Sequence, residues 1–173
     1  DEIYEKTLDW ATDFDPEFAA ILSRDPVYAK AIFSIGRGGK KPRKDFATFA
    51  EVKPFISFFY DELFEISDTY PENTDLSDVK KVLSGFLETY VPDDDMNTWF
   101  AKIQKIGEDL GYTANMKEYK ADPSKFKGNV SDVSMFIRLA VTGRQNSPDM
   151  YAVMQILGRD KITKRINNMI EKL

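Results

Sequence analysis

The chain has 173 residues, of which 42% are hydrophobic and 31% are charged, a composition typical of a globular protein and not of a disordered one. It contains no His and no Cys, which excludes disulfides, thiolate chemistry, the commonest general base and the commonest metal ligand. The formal net charge of −5 argues against a generally basic nucleic-acid binder, and no apolar run approaches the roughly 20 residues of a membrane span. We expect a soluble cytoplasmic binding domain without a signal peptide and, because the sequence begins at Asp1 and not at Met, a piece of a longer protein.

Helix start signals in the first half of the chain combine an acidic N-cap with a proline. Asp15-Pro16 and Asp25-Pro26 each place the acid before a Pro at the first helical position, and Gly36 is a natural residue to end the second helix. Residues 37–44 (RGGKKPRK) contain two Gly and one Pro and are predicted to form an exposed loop, here called the basic loop. An aromatic-rich helical group follows at 54–64.

The next predicted helix starts at Asp75 or Ser77 and ends before Pro92. Its apolar residues share one face: Val79, Val82, Leu83, Phe86 and Leu87. The acidic run at 93–95 predicts the boundary between two lobes, residues 1–92 and 93–173.

Similar helix signals recur in the second lobe, where apolar residues follow at spacings of three and four. In chain order, helices are predicted from Asp95 to Gly111, over 115–121, from Asp132 to Thr142-Gly143, from Ser147-Pro148 to Gly158, and from Asp160 onwards, with a loop at 122–129. No segment alternates with period two. The sequence therefore predicts an all-α fold of two stacked helical bundles.

Positive charge is confined to the basic loop and the C-terminal part of the chain. Residues 1–36 have a net charge of −5 and residues 45–95 of −10, whereas the basic loop has +5 and residues 96–173 have +5. Such asymmetry steers an anionic partner to the basic surface only. On charge alone, this uneven distribution is explained equally well by basic residues that cluster by chance on a solvated surface.

A family resemblance begins in segment 134–166 (SMFIRLAVTGRQNSPDMYAVMQILGRDKITKRI), which resembles the closing segment of bacterial glutamyl-tRNA synthetases. The matching features are Arg138, the Thr142-Gly143 turn, the Ser147-Pro148 helix start and Leu157-Gly158. Segments 38–64 and 116–134 resemble a longer bacterial subgroup of the same enzyme. The resemblance implies the all-α anticodon-binding domain at the C-terminus of a class I aminoacyl-tRNA synthetase.

The family's catalytic signatures, a His-containing motif and a Lys-Ser-Lys type loop, are absent from this chain. The resemblance therefore implies that adenylation, with ATP and Mg²⁺, takes place in a part of the parent glutamate–tRNA ligase outside this chain. For the chain itself we expect no catalytic residue, metal or cofactor. The implied partner is tRNA(Glu), bound by a monomer, with no role for DNA or a membrane.

The resemblance assigns contacts to the first anticodon base by position, to Arg138, Ser147, Pro148 and Met150. Their chemistry agrees, because a guanidinium fork and the N–H groups of a helix's first turn suit a base edge, whereas Asp149 would repel a phosphate. Ser147 is equally well explained as the N-cap of the following helix, and the two roles are compatible.

Contacts to the sugar–phosphate backbone of the tRNA are a separate hypothesis. Arg144 is a candidate, with a solvated turn as the alternative, and in the basic loop Arg37, Lys40 and Lys41 are candidates because charge on a Gly/Pro loop suits phosphates.

The third anticodon base is implied to be read near the end of the basic loop, by Arg43 or Lys44, since the family's Arg aligns at 43–45. An Arg there favours glutamate anticodons, whereas its absence admits tRNA(Gln) as well, and both options stay open.

A second class of function is a helical protein–protein interaction domain that docks an acidic partner through the basic loop. Other features favour structural roles. The carboxylates at 61–68 and 93–95 are best explained by solvated faces and a helix cap, and Trp99, Phe100 and the aromatic residues of 55–64 by core positions.

Overall fold

Short helices joined by tight turns form most of the described part of the chain, which comprises residues 2–42 and 46–173 of a computed structural model. The chain divides into two compact units. The first contains Asp1–Phe64 and Pro148–Ile156, and the second contains Glu65–Ser147 and Leu157–Leu173.

This division differs from the predicted boundary between residues 92 and 93. The helices before and after that boundary, Leu76–Thr89 and Met96–Asp109, pack against each other and against the helix Val130–Thr142 within the second unit. Their apolar faces share one core, so the acidic run between them is a connection inside a unit.

The first unit contains α1 to α4 and most of α9. The bounds are α1 Glu2–Phe14, α2 Pro16–Arg24, α3 Pro26–Ser34, α4 Val52–Ile56 and α9 Met150–Leu157, with 3₁₀ turns at Phe49–Glu51 and Ser57–Phe59. The predicted caps are confirmed, because the carboxylates of Asp15 and Asp25 accept from the N–H groups of Phe18 (3.1 Å) and Tyr28 (3.0 Å). Large side chains fill its core at no more than 2% exposure: Phe18, Leu22, Ile32, Phe33, Ile56, Phe58 and Phe59.

Helix α1 was not predicted, because no cap or proline announces it. Its signal is periodicity alone, since the buried residues Tyr4, Thr7 and Ala11 are spaced by three and four along one face.

The second unit contains α5 Leu76–Thr89, α6 Met96–Asp109, α7 Met116–Ala121, α8 Val130–Thr142 and α10 Arg159–Lys172, with a 3₁₀ turn at Pro123–Lys125. Two-residue strands, β1 Tyr112–Thr113 and β2 Gly128–Asn129, form a parallel pair in which Tyr112 is opposite Gly128. This pair was not predicted, and it is too short to alter the all-α class, which is confirmed.

Two predicted caps in the second unit are confirmed and two are wrong. The carboxylates of Asp75 and Asp95 cap α5 and α6. Helix α8 begins at Val130 and not at Asp132, because Asn129 is its N-cap and Asp132 completes a capping box by accepting from the Asn129 N–H at 2.8 Å. Helix α10 begins at Arg159 after Gly158, without the side-chain cap expected from Asp160.

Most residues on the predicted apolar helix faces are buried, and exceptions occur in α6. Ile103 is buried, whereas Trp99 and Phe100, predicted to be core residues, are partly exposed. None of the helices in the described ranges has the length and apolar character that a membrane crossing requires.

Candidate nucleic-acid interface

The predicted turn after α8 is confirmed and forms a corner, defined here as residues 143–147. Gly143 ends the helix with φ of 74° and donates its N–H to the Leu139 carbonyl at 2.8 Å. A left-handed residue after the last helical turn favours glycine, because a Cβ is strained at that φ.

A segment of the same unit, residues 65–70, packs directly on this corner and is called the strap. The N–H groups of Ser67 and Asp68 both donate to the Gly143 carbonyl, at 2.9 and 3.0 Å. A Cβ on Gly143 would lie 2.0 Å from the carbonyl oxygen of Glu65. Glycine is therefore required here by close approach as well as by φ.

Gln145 is held to the strap by both its main chain and its side chain. Its N–H donates to the Asp68 carboxylate at 2.8 Å, and its Nε2 donates to the Thr69 carbonyl at 2.7 Å. The strap also reaches α8, because the Tyr70 hydroxyl donates to the Phe136 carbonyl at 2.7 Å. Burial raises the pKa of Tyr70 above its usual range. Asp68, predicted to be a solvated carboxylate, thus belongs to the support of the corner.

Arg138 and Ser147 are brought together at this corner, as their assignment to one site requires. Arg138 is partly exposed on the last turns of α8, and its Nε donates to the Ser147 hydroxyl oxygen at 3.0 Å. The contact orients the guanidinium plane and uses one of the two acceptor positions of the hydroxyl. A planar fork of donors is thereby presented from a fixed position beside the corner.

The predicted N-cap role of Ser147 is wrong. Helix α9 begins at Met150, and the Asp149 carboxylate accepts from the Ala152 N–H at 2.8 Å, as an N-cap does. Ser147 lies two residues before Asp149, which takes the N-cap position, and its hydroxyl oxygen accepts from Arg138.

The remaining residues assigned to the first anticodon base, Pro148 and Met150, belong to the first unit. Pro148 is partly exposed, whereas Met150 is buried, with only 6% of the residue exposed. Met150 therefore offers little side-chain surface to a ligand.

Arg144 lies in the corner, with its main chain held by Thr142. The Arg144 N–H donates to the Thr142 hydroxyl oxygen at 3.2 Å, and that hydroxyl donates back to the Arg138 carbonyl at 2.8 Å. The Arg144 side chain is partly exposed, as a contact to an RNA backbone requires.

One residue that supports the corner was missed by the sequence analysis. Arg165 of α10 is 4% exposed, and its guanidinium donates to the Val141 carbonyl at 2.8 Å, in the last turn of α8. A basic residue is expected on the surface, but the spacing of Arg165 to the buried residues of α10 places it on their face: Ile162, Ile166 and Met169. That spacing is the sequence signal from which its burial could have been predicted.

The basic loop is exposed where the structure describes it. Lys40 and Lys41 are exposed and Arg37 is partly exposed, and a Cβ at either Gly38 or Gly39 would have nothing within 4 Å. Arg43 and Lys44, assigned to the third anticodon base, lie outside the described residues.

An ion pair between the buried Asp78 and the half-exposed Lys127 was also missed. Asp78 of α5 is 1% exposed and accepts from Lys127 Nζ at 2.9 Å and from the Tyr112 hydroxyl at 3.0 Å. The hydrogen bond to Asp78 raises the pKa of Lys127, and burial, followed by the Asp78 contact, raises that of Tyr112. The contacts join α5 to β1 and to the residue that precedes β2, and they explain why the charged Asp78 tolerates burial.

Two of the carboxylates set aside as structural form ion pairs within the chain. Glu62 pairs with Arg24 and Asp94 pairs with Lys102. Within residues 2–42 and 46–173, no group of three or more acidic side chains is placed to hold a metal ion.

The all-α fold and the donor-rich corner define the class of protein to which the chain belongs. The family described as "Anticodon binding domain" matches residues 40–170, which covers the corner, nearly all of the second unit and almost half of the first. The chain belongs to this family.

Similarity to individual proteins extends over nearly the whole chain. It is 41% identical to the glutamate–tRNA ligase of Acetivibrio thermocellus, over 98% of this chain and 31% of that protein. It is 43% identical to that of Sorangium cellulosum, over 96% of this chain and 29% of that protein, and 38% identical to that of Clostridium beijerinckii, over 98% and 32%. The resemblance to the anticodon-binding region of bacterial glutamyl-tRNA synthetases is confirmed, and the chain spans about a third of the length of these curated relatives.

Proposed function

We propose that this chain is the tRNA anticodon-recognition module of a glutamyl-tRNA synthetase. The observation that carries the proposal is the corner of α8, where Ser147 orients the Arg138 guanidinium and the strap holds the turn, in a chain of the anticodon-binding family. Anticodon bases are unpaired in the loop, so their Watson–Crick edges are accessible to such donors.

The charges around the corner favour a base over a phosphate as the group that binds there. Asp68 is hydrogen-bonded to the corner, and Asp149 follows it in the chain as the cap of α9. Two carboxylates disfavour a phosphate, whereas a neutral base edge with acceptor atoms suits the guanidinium of Arg138. Arg138 and Ser147 are therefore proposed to read the first anticodon base, next to Pro148 and Met150 in the sequence.

The basic loop is proposed to contribute affinity without much sequence information. Lys40 and Lys41 are exposed on a Gly-containing loop, which suits contacts to phosphates. Arg37 and Arg144 are proposed as further backbone contacts. Arg43 or Lys44 is proposed to read the third anticodon base, and the identity of that residue decides between tRNA(Glu) alone and tRNA(Glu) together with tRNA(Gln).

The chemistry of aminoacylation is proposed to take place elsewhere in the parent ligase. The module would hold the anticodon while the acceptor end of the tRNA reaches a catalytic domain that uses ATP and Mg²⁺. The chain is proposed to act as a monomer in the cytoplasm, the site of translation, and to catalyse no ATP–pyrophosphate exchange by itself.

A binding titration of the 173-residue chain tests the proposal. Four labelled anticodon stem-loops share one stem and carry the glutamate anticodon, the same anticodon changed at its first base, the glutamine anticodon, and an unrelated anticodon. We expect the glutamate anticodon to bind at least about fivefold more tightly than the loop with the changed first base, since one base-specific contact contributes roughly 1–3 kcal/mol. The glutamine loop reports whether the third base is discriminated.

Equal affinity for the glutamate loop and the loop with the changed first base, at a salt concentration close to 0.15 M, contradicts the proposal. No measurable binding to any loop, even at low salt, would favour the second class of function, a helical interaction domain that docks an acidic protein through the basic loop.

A further inference from the structure

We propose that Asp68 is a positioning residue for anticodon recognition, which acts by holding the corner in the conformation that presents Arg138 and Ser147. The inference rests on the proposed function, and it assigns a role to a residue remote in sequence from those that the family resemblance names. Asp68 precedes Gln145 by 77 residues.

Asp68 and the corner are joined by two reciprocal hydrogen bonds. The Asp68 N–H donates to the Gly143 carbonyl at 3.0 Å, and the Asp68 carboxylate accepts from the Gln145 N–H at 2.8 Å. The strap thereby fixes one carbonyl and one N–H of the corner, two residues apart. The second contact has a charged acceptor, which makes it the stronger kind of hydrogen bond.

The position of Gln145 decides the position of the recognition pair. Ser147 follows two residues later, and its hydroxyl oxygen accepts from Arg138 Nε at 3.0 Å. A turn released at Gln145 would move Ser147, and the guanidinium would lose the contact that orients it. The donors would still be present but would no longer be held in a single geometry, which lowers discrimination more than nonspecific affinity.

Helix α8 does not depend on Asp68 to the same degree. Its start is capped by Asn129 and Asp132, and its last turn is supported by Arg165, which donates to the Val141 carbonyl. Loss of the Asp68 carboxylate is therefore expected to loosen the corner while the helix persists.

Three variants of the chain separate positioning from charge and from folding. Asp68→Ala removes the acceptor and one negative charge. Asp68→Asn keeps an amide oxygen as acceptor at the same place. Glu65→Ala is the matched control, because it removes the same charge from the exposed side chain of a neighbouring strap residue and keeps the main-chain contact to Gly143.

The measurement is the ratio of affinities for the glutamate stem-loop and the loop changed at the first anticodon base. We expect Asp68→Ala to reduce this ratio about fivefold to tenfold, Asp68→Asn to recover most of it, and Glu65→Ala to leave it unchanged. A ratio unchanged in Asp68→Ala overturns the inference. An equal loss in Glu65→Ala also overturns it, because charge and not position would then be the cause.

Amide hydrogen exchange provides a readout that does not depend on RNA. The Gln145 amide should exchange slowly in the unaltered chain and much faster in Asp68→Ala, while amides in the middle of α8 stay protected. A Gln145 amide without protection in the unaltered chain overturns the inference, even if Asp68→Ala does not fold. If the unaltered chain shows no anticodon preference, the proposed function is contradicted. If the unaltered chain shows a preference and Asp68→Ala retains it, only the positioning role of Asp68 is contradicted.

Discussion

Gly143→Ala provides the sharpest test of the way in which the strap and the corner are joined. The new Cβ would lie 2.0 Å from the Glu65 carbonyl oxygen, 2.9 Å from its carbonyl carbon and 3.0 Å from the Ile66 Cα. All three are main-chain atoms, so the clash cannot be relieved by the rotation of a side chain. The strap must move away, and the Ser67 and Asp68 hydrogen bonds to the Gly143 carbonyl move with it.

The expected cost follows from three contributions. A non-glycine residue at φ of 74° costs about 1–2 kcal/mol, overpacking costs about 1–3 kcal/mol, and each weakened hydrogen bond costs about 0.5–1.5 kcal/mol. Together they predict that the free energy of unfolding falls by about 3–8 kcal/mol. With a urea dependence of about 2 kcal/mol/M, the midpoint of unfolding falls by at least about 1.5 M.

Gly111→Ala is the matched control, because Gly111 also follows a helix of the second unit and has φ of 93°. A Cβ there would meet nothing closer than Lys127 Cγ at 3.6 Å, an ordinary contact. In this variant we expect backbone strain alone to lower the free energy of unfolding, by about 1–2 kcal/mol. Equal losses of stability in the two variants, measured by urea unfolding followed by circular dichroism, would refute the close approach of the strap.

Four further predictions concern binding and stability. Arg138→Ala should lower discrimination at the first anticodon base by about 1–3 kcal/mol in stem-loop titrations. Replacement of both Lys40 and Lys41 by Ala should flatten the slope of log affinity against log salt by about 1.4–1.8 and keep anticodon preference. Arg165→Met should lower the free energy of unfolding by about 1–3 kcal/mol in urea, because it leaves a buried carbonyl without its donor. Asp95→Ala should be less stable than the unaltered chain at pH 6, and acid should narrow that difference.

The prediction for Asp95→Ala follows from the direction in which folding shifts the pKa of Asp95. The Thr98 N–H, which donates to the cap of α6, lowers the pKa of Asp95 below its ordinary value of 3.8. A lowered pKa stabilises the fold above pH 3.8, and the stabilisation is lost as the pH falls through the folded-state value. Thermal unfolding of both proteins between about pH 6 and pH 2 measures the difference, and a gap independent of pH would contradict the assignment.

The other three predictions have equally definite contrary results. An unchanged anticodon preference in Arg138→Ala, with intact circular dichroism, would make that residue structural. An unaltered salt slope in the double lysine variant would remove the basic loop from the RNA contacts. Unchanged stability in Arg165→Met would mean that the carbonyl at the end of α8 does not need its donor.

Local interactions explain how much of the fold could be read from the sequence. Asp15, Asp25, Asp75 and Asp95 each cap a helix through an N–H three residues or fewer ahead, so residue type and spacing suffice to predict them. Gly143 was predicted for the same reason, since the left-handed residue after a helix favours glycine whatever surrounds it. The family was also recognisable at this level, because its motif lies in one continuous segment.

The choice between neighbouring candidates was harder to predict than the presence of a helix. Asp132 and Asp160 were acceptable caps by residue type, but Asn129 and Gly158 precede the helices that form. Ser147 could cap α9 or meet Arg138, and Asp149, two residues later, takes the cap. Candidate residues only two or three positions apart compete for the start of each helix, and spacing does not resolve that competition.

Residue type and short-range spacing therefore determined by themselves the all-α class and most helix ends, whereas Arg138 and Ser147 were assigned through the family resemblance and their role in recognition stays a prediction. Tertiary structure alone decided that the strap supports the corner, that Arg165 is buried, and that the segment Pro148–Ile156, which contains most of α9, belongs with the first unit. These are contacts between residues far apart in the sequence, and they depend on which apolar faces share a core. A contact across 77 residues, such as that of Asp68 with Gln145, leaves no periodic or compositional signal in either segment, because each partner meets the other only after the chain has folded.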